Sequence, residues 1–169
     1  MIDSLKDLHR LRLGVMNQPE NNLEHTLWNW ISRFEPPEDP VCWCREVGLP
    51  VKEISGQVHR GPFILRSEYQ EKPMSILLYP DNIRNWLIYL QQHSGLSTLT
   101  YDQLVRVCLV HEFLHHGIVH AGQFWDGTTA REFKRLSIPQ EETLIHQVTR
   151  SWLFKTWPEY ASSGDLLFP

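Results

Sequence analysis

Apolar residues recur every three to four positions along most of the chain, and only one central stretch shows the shorter spacing of strands. Leu5, Leu8 and Leu11 follow Asp3, a residue that caps helices, and Gly14 closes a short predicted helix. Leu23, Leu27, Trp30, Ile31 and Phe34 keep the helical interval behind an Asn21/Glu24 capping-box pattern until Glu35-Pro36-Pro37 breaks it. Residues 35–40 then read as a linker between an N-terminal helical part, 1–35, and a core, 41–158.

Past that linker the glycines and prolines at 48, 50, 56, 61 and 62 punctuate short segments, Gln57-Val58-His59 and Phe63-Ile64-Leu65. Met74 to Tyr79 is a compact apolar run ended by Pro80, giving a small sheet of about three strands. Asp81 is expected to cap a helix presenting Ile83, Trp86, Leu87 and Leu90, closed by Gly95. A capping box, Thr100 with Gln103, opens the next helix, in which Leu104, Val107, Cys108, Val110 and Leu114 recur and Gly122 is the expected stop. A loop from Gln123 to Leu136 leads to a second box, Ser137 with Gln140, and a last helix through Leu144, Val148 and Trp152 that Pro158 ends. The tail, 159–169, reads as mobile around Ala161 to Asp165, with Leu166-Leu167-Phe168 free to dock on the body. Helices around one small mixed or antiparallel sheet make an α+β protein.

Composition narrows the class. At 169 residues with 41% hydrophobic, the chain is expected to form one domain with a core of its own. A net charge of -4 supplies no basic stripe for nucleic acid, so the expected partners are proteins or peptides. No run reaches about eighteen apolar residues and the N-terminus lacks a secretory pattern, so a cytoplasmic, non-membrane protein is expected. Cys42, Cys44 and Cys108 are an odd number, which argues against a disulfide framework; the Cys42/Cys44 spacing does not suit a structural zinc, and buried thiols are expected.

The chemistry concentrates at residues 111–115, His-Glu-Phe-Leu-His, an HExxH pentad in the middle of its helix. His111 and His115 stand one turn apart on one face, where both imidazoles reach a single metal ion and Glu112 lies beside a coordinated water. Four of the nine histidines (111, 115, 116 and 120) fall within ten residues, more than a core helix has reason to carry. The expected cofactor is one zinc ion per chain.

A catalytic zinc takes three protein ligands, so a third is sought among His120, Asp126, Glu141, Glu142 and His146. Glu142 is preferred, because a helix returning beside the first can present an acid from its start. Glu141 points about 100 degrees away, so only one of the two is expected to face inward. Both also suit the positive end of the helix. For the HExxHxxGxxH arrangement Gly117 and His120 each come one residue early, and a continuous helix turns His120 about 140 degrees from His115. His120 is therefore read as a polar neighbour, His116 as facing elsewhere and partly solvated, and Cys108 as core. His146, one turn past Glu142, can hydrogen-bond a ligand, stabilise an oxyanion, or simply point along the groove.

The strand at Ile76 to Tyr79, the HExxH pentad and a glutamate 27 residues after His115 resemble the ImmA/IrrE-type family of bacterial metallopeptidases, as does Cys44-Arg-Glu-Val-Gly-Leu-Pro-Val51. The similarity spans residues 25–155, with the metal motif its sharpest part. It implies a minimal zincin-like fold with a gluzincin-like third ligand: zinc on His111, His115 and Glu142, and Glu112 activating water. Family members often cleave or inactivate a transcriptional repressor encoded nearby, which makes a repressor one candidate substrate. The chain departs from the family at Leu114, where a small residue is common, and at Thr143-Leu144, which replaces Ala-Asn. Both departures spare the metal donors and bear on the substrate.

The expected activity is zinc-dependent endopeptidase chemistry, with Glu112 as base and then acid and His146 as a second catalytic candidate. Met74 to Tyr79, as an exposed edge strand, is expected to hold an extended peptide. The alternative is a non-catalytic zinc-binding protein that docks on a regulator.

Overall fold

The computed structural model describes residues 19–163, so the expected helix around Leu5 to Leu11 and the docking of Leu166 to Phe168 lie outside the described residues. The architecture is α+β, with seven α-helices, a three-stranded mixed sheet and a separate two-stranded ribbon among the described residues.

Helix α1, Pro19–Ile31, buries Leu23, Leu27, Trp30 and Ile31, one stripe at helical spacing. It begins before Asn21, which therefore lies inside the helix and is not its cap. The Glu35 to Pro40 stretch is no loose tether: the indoles of Trp43 and Trp152 donate to the carbonyls of Pro36 and Pro37, each at 2.9 Å. Asp39 then accepts from the Val41 amide at 3.1 Å and starts a short helix, α2, Pro40–Glu46, where strand-like segments were expected to begin.

Strand β1, Val51–Glu53, is followed by the ribbon β2, His59–Arg60, and β3, Phe63–Ile64, then by β4, Ser67–Glu71, and β5, Met74–Leu78. The sheet order is β1-β5-β4, with β1 parallel and β4 antiparallel to β5. β5 is thus the central strand, with Ser75 and Ile76 fully buried, and its backbone is paired on both sides, so it cannot take up a peptide. The free edge beside the HExxH helix belongs to β4.

Helix α3, Pro80–His93, is capped at Tyr79 with Pro80 in its first turn; Asp81 sits inside that turn, and its carboxylate accepts from the Gly56 amide at 2.8 Å. Gly95, at φ +68°, turns the chain out of α3 through a conformation that side chains with a Cβ disfavour. Helix α4, Tyr101–Val119, carries the HExxH pentad and opens on the expected Thr100/Gln103 box. It stops before Gly122, at His120, and two further helices follow: α5, Ala121–Phe124, and α6, Gly127–Lys134. The Gln123 to Leu136 segment is therefore mostly helical, and Asp126 spends its carboxylate as the α6 cap, accepting from Thr128 and Thr129. Helix α7, Ile138–Thr156, opens on the Ser137/Gln140 box as expected. A 3₁₀ helix, Pro158–Ser163, buries Tyr160 and runs into the start of the Ala161 to Asp165 stretch expected to be mobile, the rest of which lies outside the described residues.

Helix α4 is the axis of the core. It packs against β4, β5, α2, α3, α6 and α7, and each fully buried side chain it contributes, such as Leu109 or Phe113, stabilises the fold by about 1.5–3 kcal/mol. Trp30 stacks on Phe113 with centroids 4.8 Å apart and planes 8° from parallel. Its ring also lies directly over Gly117, where an added Cβ would sit only 2.4 Å from a ring carbon. Glycine at this position is what lets α1 approach α4. Among the described residues, no helix is long and apolar enough to cross a membrane.

Candidate metal centre

With one face of α4 committed to the core, His111 and His115 fall on a less covered side, each side chain 17% exposed, and His111 lines a cleft. Their rings are 5.0 Å apart, the separation expected one turn along a helix. Helix α7 crosses beside them, and Glu142, just past its first turn, reaches both: Oε2 lies 3.5 Å from His111 Nε2 and Oε1 lies 3.2 Å from His115 Nε2. One carboxylate spans the two imidazoles. Hydrogen bonds from His111 and then His115 hold the Glu142 carboxyl far below the usual carboxylate range.

Glu141, expected to face away, also belongs to the site. Its Oε1 lies 2.7 Å from His115 Nδ1. The rotation between neighbours is real, but an imidazole has two nitrogens on opposite edges, and two long side chains about 100 degrees apart grip one ring from both. A carboxylate only accepts hydrogen bonds, so Nδ1 donates to Glu141, and Nε2, which faces Glu142, is the nitrogen that a metal would take in place of its proton. Burial alone would lower the His115 imidazole, but its bonds to Glu141 and Glu142 outweigh it and raise it to about 10.

Glu112 is 5% exposed and takes a hydrogen bond from Ser67 Oγ at 2.6 Å, from the first residue of β4. The edge strand thus fixes the carboxylate that the pentad needs. Donor atoms of His111, Glu112 and His115 lie within 4.8 Å of one another, as do those of His111, Glu142 and His146. His146 lines the cleft with its Nε2 3.9 Å from Glu142 Oε2, so it is a further candidate donor beside Glu142. Burial first, then the nearby His111, holds its imidazole below the ordinary value.

The other histidines turn elsewhere. His116 is 3% exposed, contrary to the solvated position expected, and its Nδ1 meets Tyr69 Oη at 3.3 Å; the same hydroxyl lies 2.9 Å from His120 Nε2. Burial, helped by His120, lowers the His116 imidazole to about 4, so it stays neutral. Cys108 is buried beside Glu112, and burial and that carboxylate push its thiol up to about 12, which fits the core role expected of it. Cys44 is buried as expected, while Cys42 is half-buried with its thiol on Asp39 Oδ2 at 3.3 Å.

Glu142 brings a carboxylate from α7 against two imidazoles of α4, a donor set of the kind that suits zinc, but the expected set His111, His115 and Glu142 is joined by these pairwise contacts, whereas the His-Glu-His group whose donor atoms all converge is His111, Glu142 and His146. The adjoining cleft, about 190 Å³, is lined by Arg66, Ser67, Trp86, His111, Glu112 and His146 among others. Compared with family models, curated proteins and solved structures, the chain matches none.

Proposed function

We propose that the chain is a zinc-dependent metalloendopeptidase of the ImmA/IrrE type, cleaving a peptide bond in a specific protein, with a transcriptional repressor as the candidate substrate class. The observation that carries this reading is the single Glu142 carboxylate spanning both HExxH imidazoles, with buried Glu112 beside them. His111, His115 and Glu142 would hold the ion. Zinc, when bound, supplies Lewis acidity, bringing the pKa of a water ligand towards neutrality and polarising a carbonyl.

The chain's own groups do the rest. Glu112 accepts the proton of the attacking water and later delivers it to the leaving amine, while Ser67 keeps its carboxylate aimed into the cleft. His146, on the cleft wall, donates to the carbonyl oxygen as charge gathers there. The open edge of β4 pairs with an extended substrate backbone, a role the central strand β5 cannot fill.

Glu112→Gln tests the reading against a zinc-binding protein that only docks. The variant should keep about one zinc per chain by elemental analysis, as a single site requires. Its cleavage of a peptide pool should fall by about 10²–10⁴, the usual worth of a general base. Absence of zinc in both proteins, or equal cleavage by both, removes the proposal.

A further inference from the structure

We propose that Arg66 sets the substrate preference of this cleft, its guanidinium receiving the carboxylate of an aspartate or glutamate side chain that flanks the cleaved bond. This inference rests on the hydrolase reading above.

Arg66 lies just before β4, immediately ahead of Ser67, and its guanidinium carbon sits 3.7 Å over the centroid of the Trp86 ring. Both residues line the cleft that His111, Glu112 and His146 share. Stacking on the indole holds the guanidinium by its face and leaves its in-plane N–H fork, the part that grips a carboxylate through two hydrogen bonds, unused by the ring. Three other arginines have carboxylate partners: Arg60 with Glu68, Arg84 with Asp81 and Arg106 with Asp102. Among the described residues, Arg66 has no such pairing although it is half-buried. Burial also lowers its pKa, the mark of a cation short of solvent.

A partly desolvated, oriented and anion-free cation favours a ligand that brings the missing charge. The other wall residues, Ile64, Leu65 and Val107, are apolar and cannot offer it, and Glu112, the acid in the cleft, takes its hydrogen bond from Ser67 and forms no ion pair with Arg66. An amide side chain would leave the fork under-satisfied, and a basic one would be repelled. A cleft of about 190 Å³ is of the size to take one side chain rather than a folded element.

The test uses the full-length, zinc-loaded chain and a sequence-diverse peptide pool, with cut sites read by mass spectrometry. Asp and Glu should exceed Asn and Gln at one position next to the cut by about tenfold, the worth of a charge-assisted hydrogen bond. That ratio should fall to about one in Arg66→Met and turn towards Lys and Arg in Arg66→Glu. Cleavage without acidic enrichment, or an enrichment unchanged in both variants, overturns the proposal and leaves the hydrolase reading standing. A second measurement does not need turnover: N-acetylaspartate titrated into the metal-free full-length chain should give a saturable NMR shift of the Trp86 indole N–H, lost in folded Arg66→Met. That shift with no peptide cut supports carboxylate recognition and sinks the hydrolase reading. Neither shift nor acidic preference overturns the proposal outright.

Discussion

Glu141 Oε1 and His115 Nδ1 meet at 2.7 Å across the junction of α7 and α4, while the opposite nitrogen of the same ring faces Glu142. A carboxylate in this place fixes the tautomer and raises the basicity of a metal-binding imidazole. Glu141→Ala should therefore weaken zinc binding by about 10–100-fold. Competition with a chromogenic chelator measures it, and an unchanged Kd would show that Glu141 serves only the helix end.

Ser67 ties the edge strand to the proposed base through its 2.6 Å bond to Glu112. Ser67→Ala leaves a buried carboxylate oxygen without that donor, at a cost of about 1–3 kcal/mol. Turnover of a peptide substrate should fall by about tenfold or more with zinc content intact. A drop in zinc content alongside turnover would instead mark Ser67 as a support of the metal site.

Gly117 has no room for a methyl group, since a Cβ would meet Trp30 ring carbons at 2.4 and 2.7 Å. Trp30 is fully buried and stacked on Phe113, so it cannot swing aside freely. Gly117→Ala should cost about 1–3 kcal/mol through overpacking despite alanine's better helix propensity. In a chain of this size that lowers Tm by roughly 2–12 °C by calorimetry.

Stability of the metal-free chain should depend on pH through the His115 and Glu142 pair. His115 is raised from 6.5 to about 10, so its contribution is complete below pH 6.5 and disappears as pH rises through about 10. Glu142 is depressed below 4.5, so its contribution is complete above pH 4.5 and disappears as pH falls towards its folded value. The pair therefore stabilises most fully between pH 4.5 and 6.5. Zinc must displace the proton, so the rise in Tm on adding zinc should be larger at about pH 8 than at about pH 6. A zinc increment independent of pH would show that His115 is not a ligand.

What the sequence made legible was local. Thr100 and Ser137 marked the starts of both donor helices because a capping box lies within four consecutive residues, and the HExxH spacing placed two imidazoles on one face. The α+β class followed from periodicity. Strand β4, Ser-Glu-Tyr-Gln-Glu, carries one aromatic among polar residues and β1 is three residues long, so neither announces itself, and β5 consequently looked like an edge. Helix α6 buries only Ala130 and Phe133, too few positions to show a period. Ser67 is 45 residues from Glu112 and Glu141 is 26 from His115, and contacts at such separations leave no trace in local pattern. His116 is read as solvated because the chain gives no sign that Tyr69 and Phe124 cover that side of α4.

Both acids that touch His115 leave α7 within its opening turns, next to the Ser137 box. Helix ends fray before helix middles do. An ion clasped there would pin the beginning of one rod to the waist of another, so occupancy of the site and tightness of the α4–α7 seam would rise and fall together.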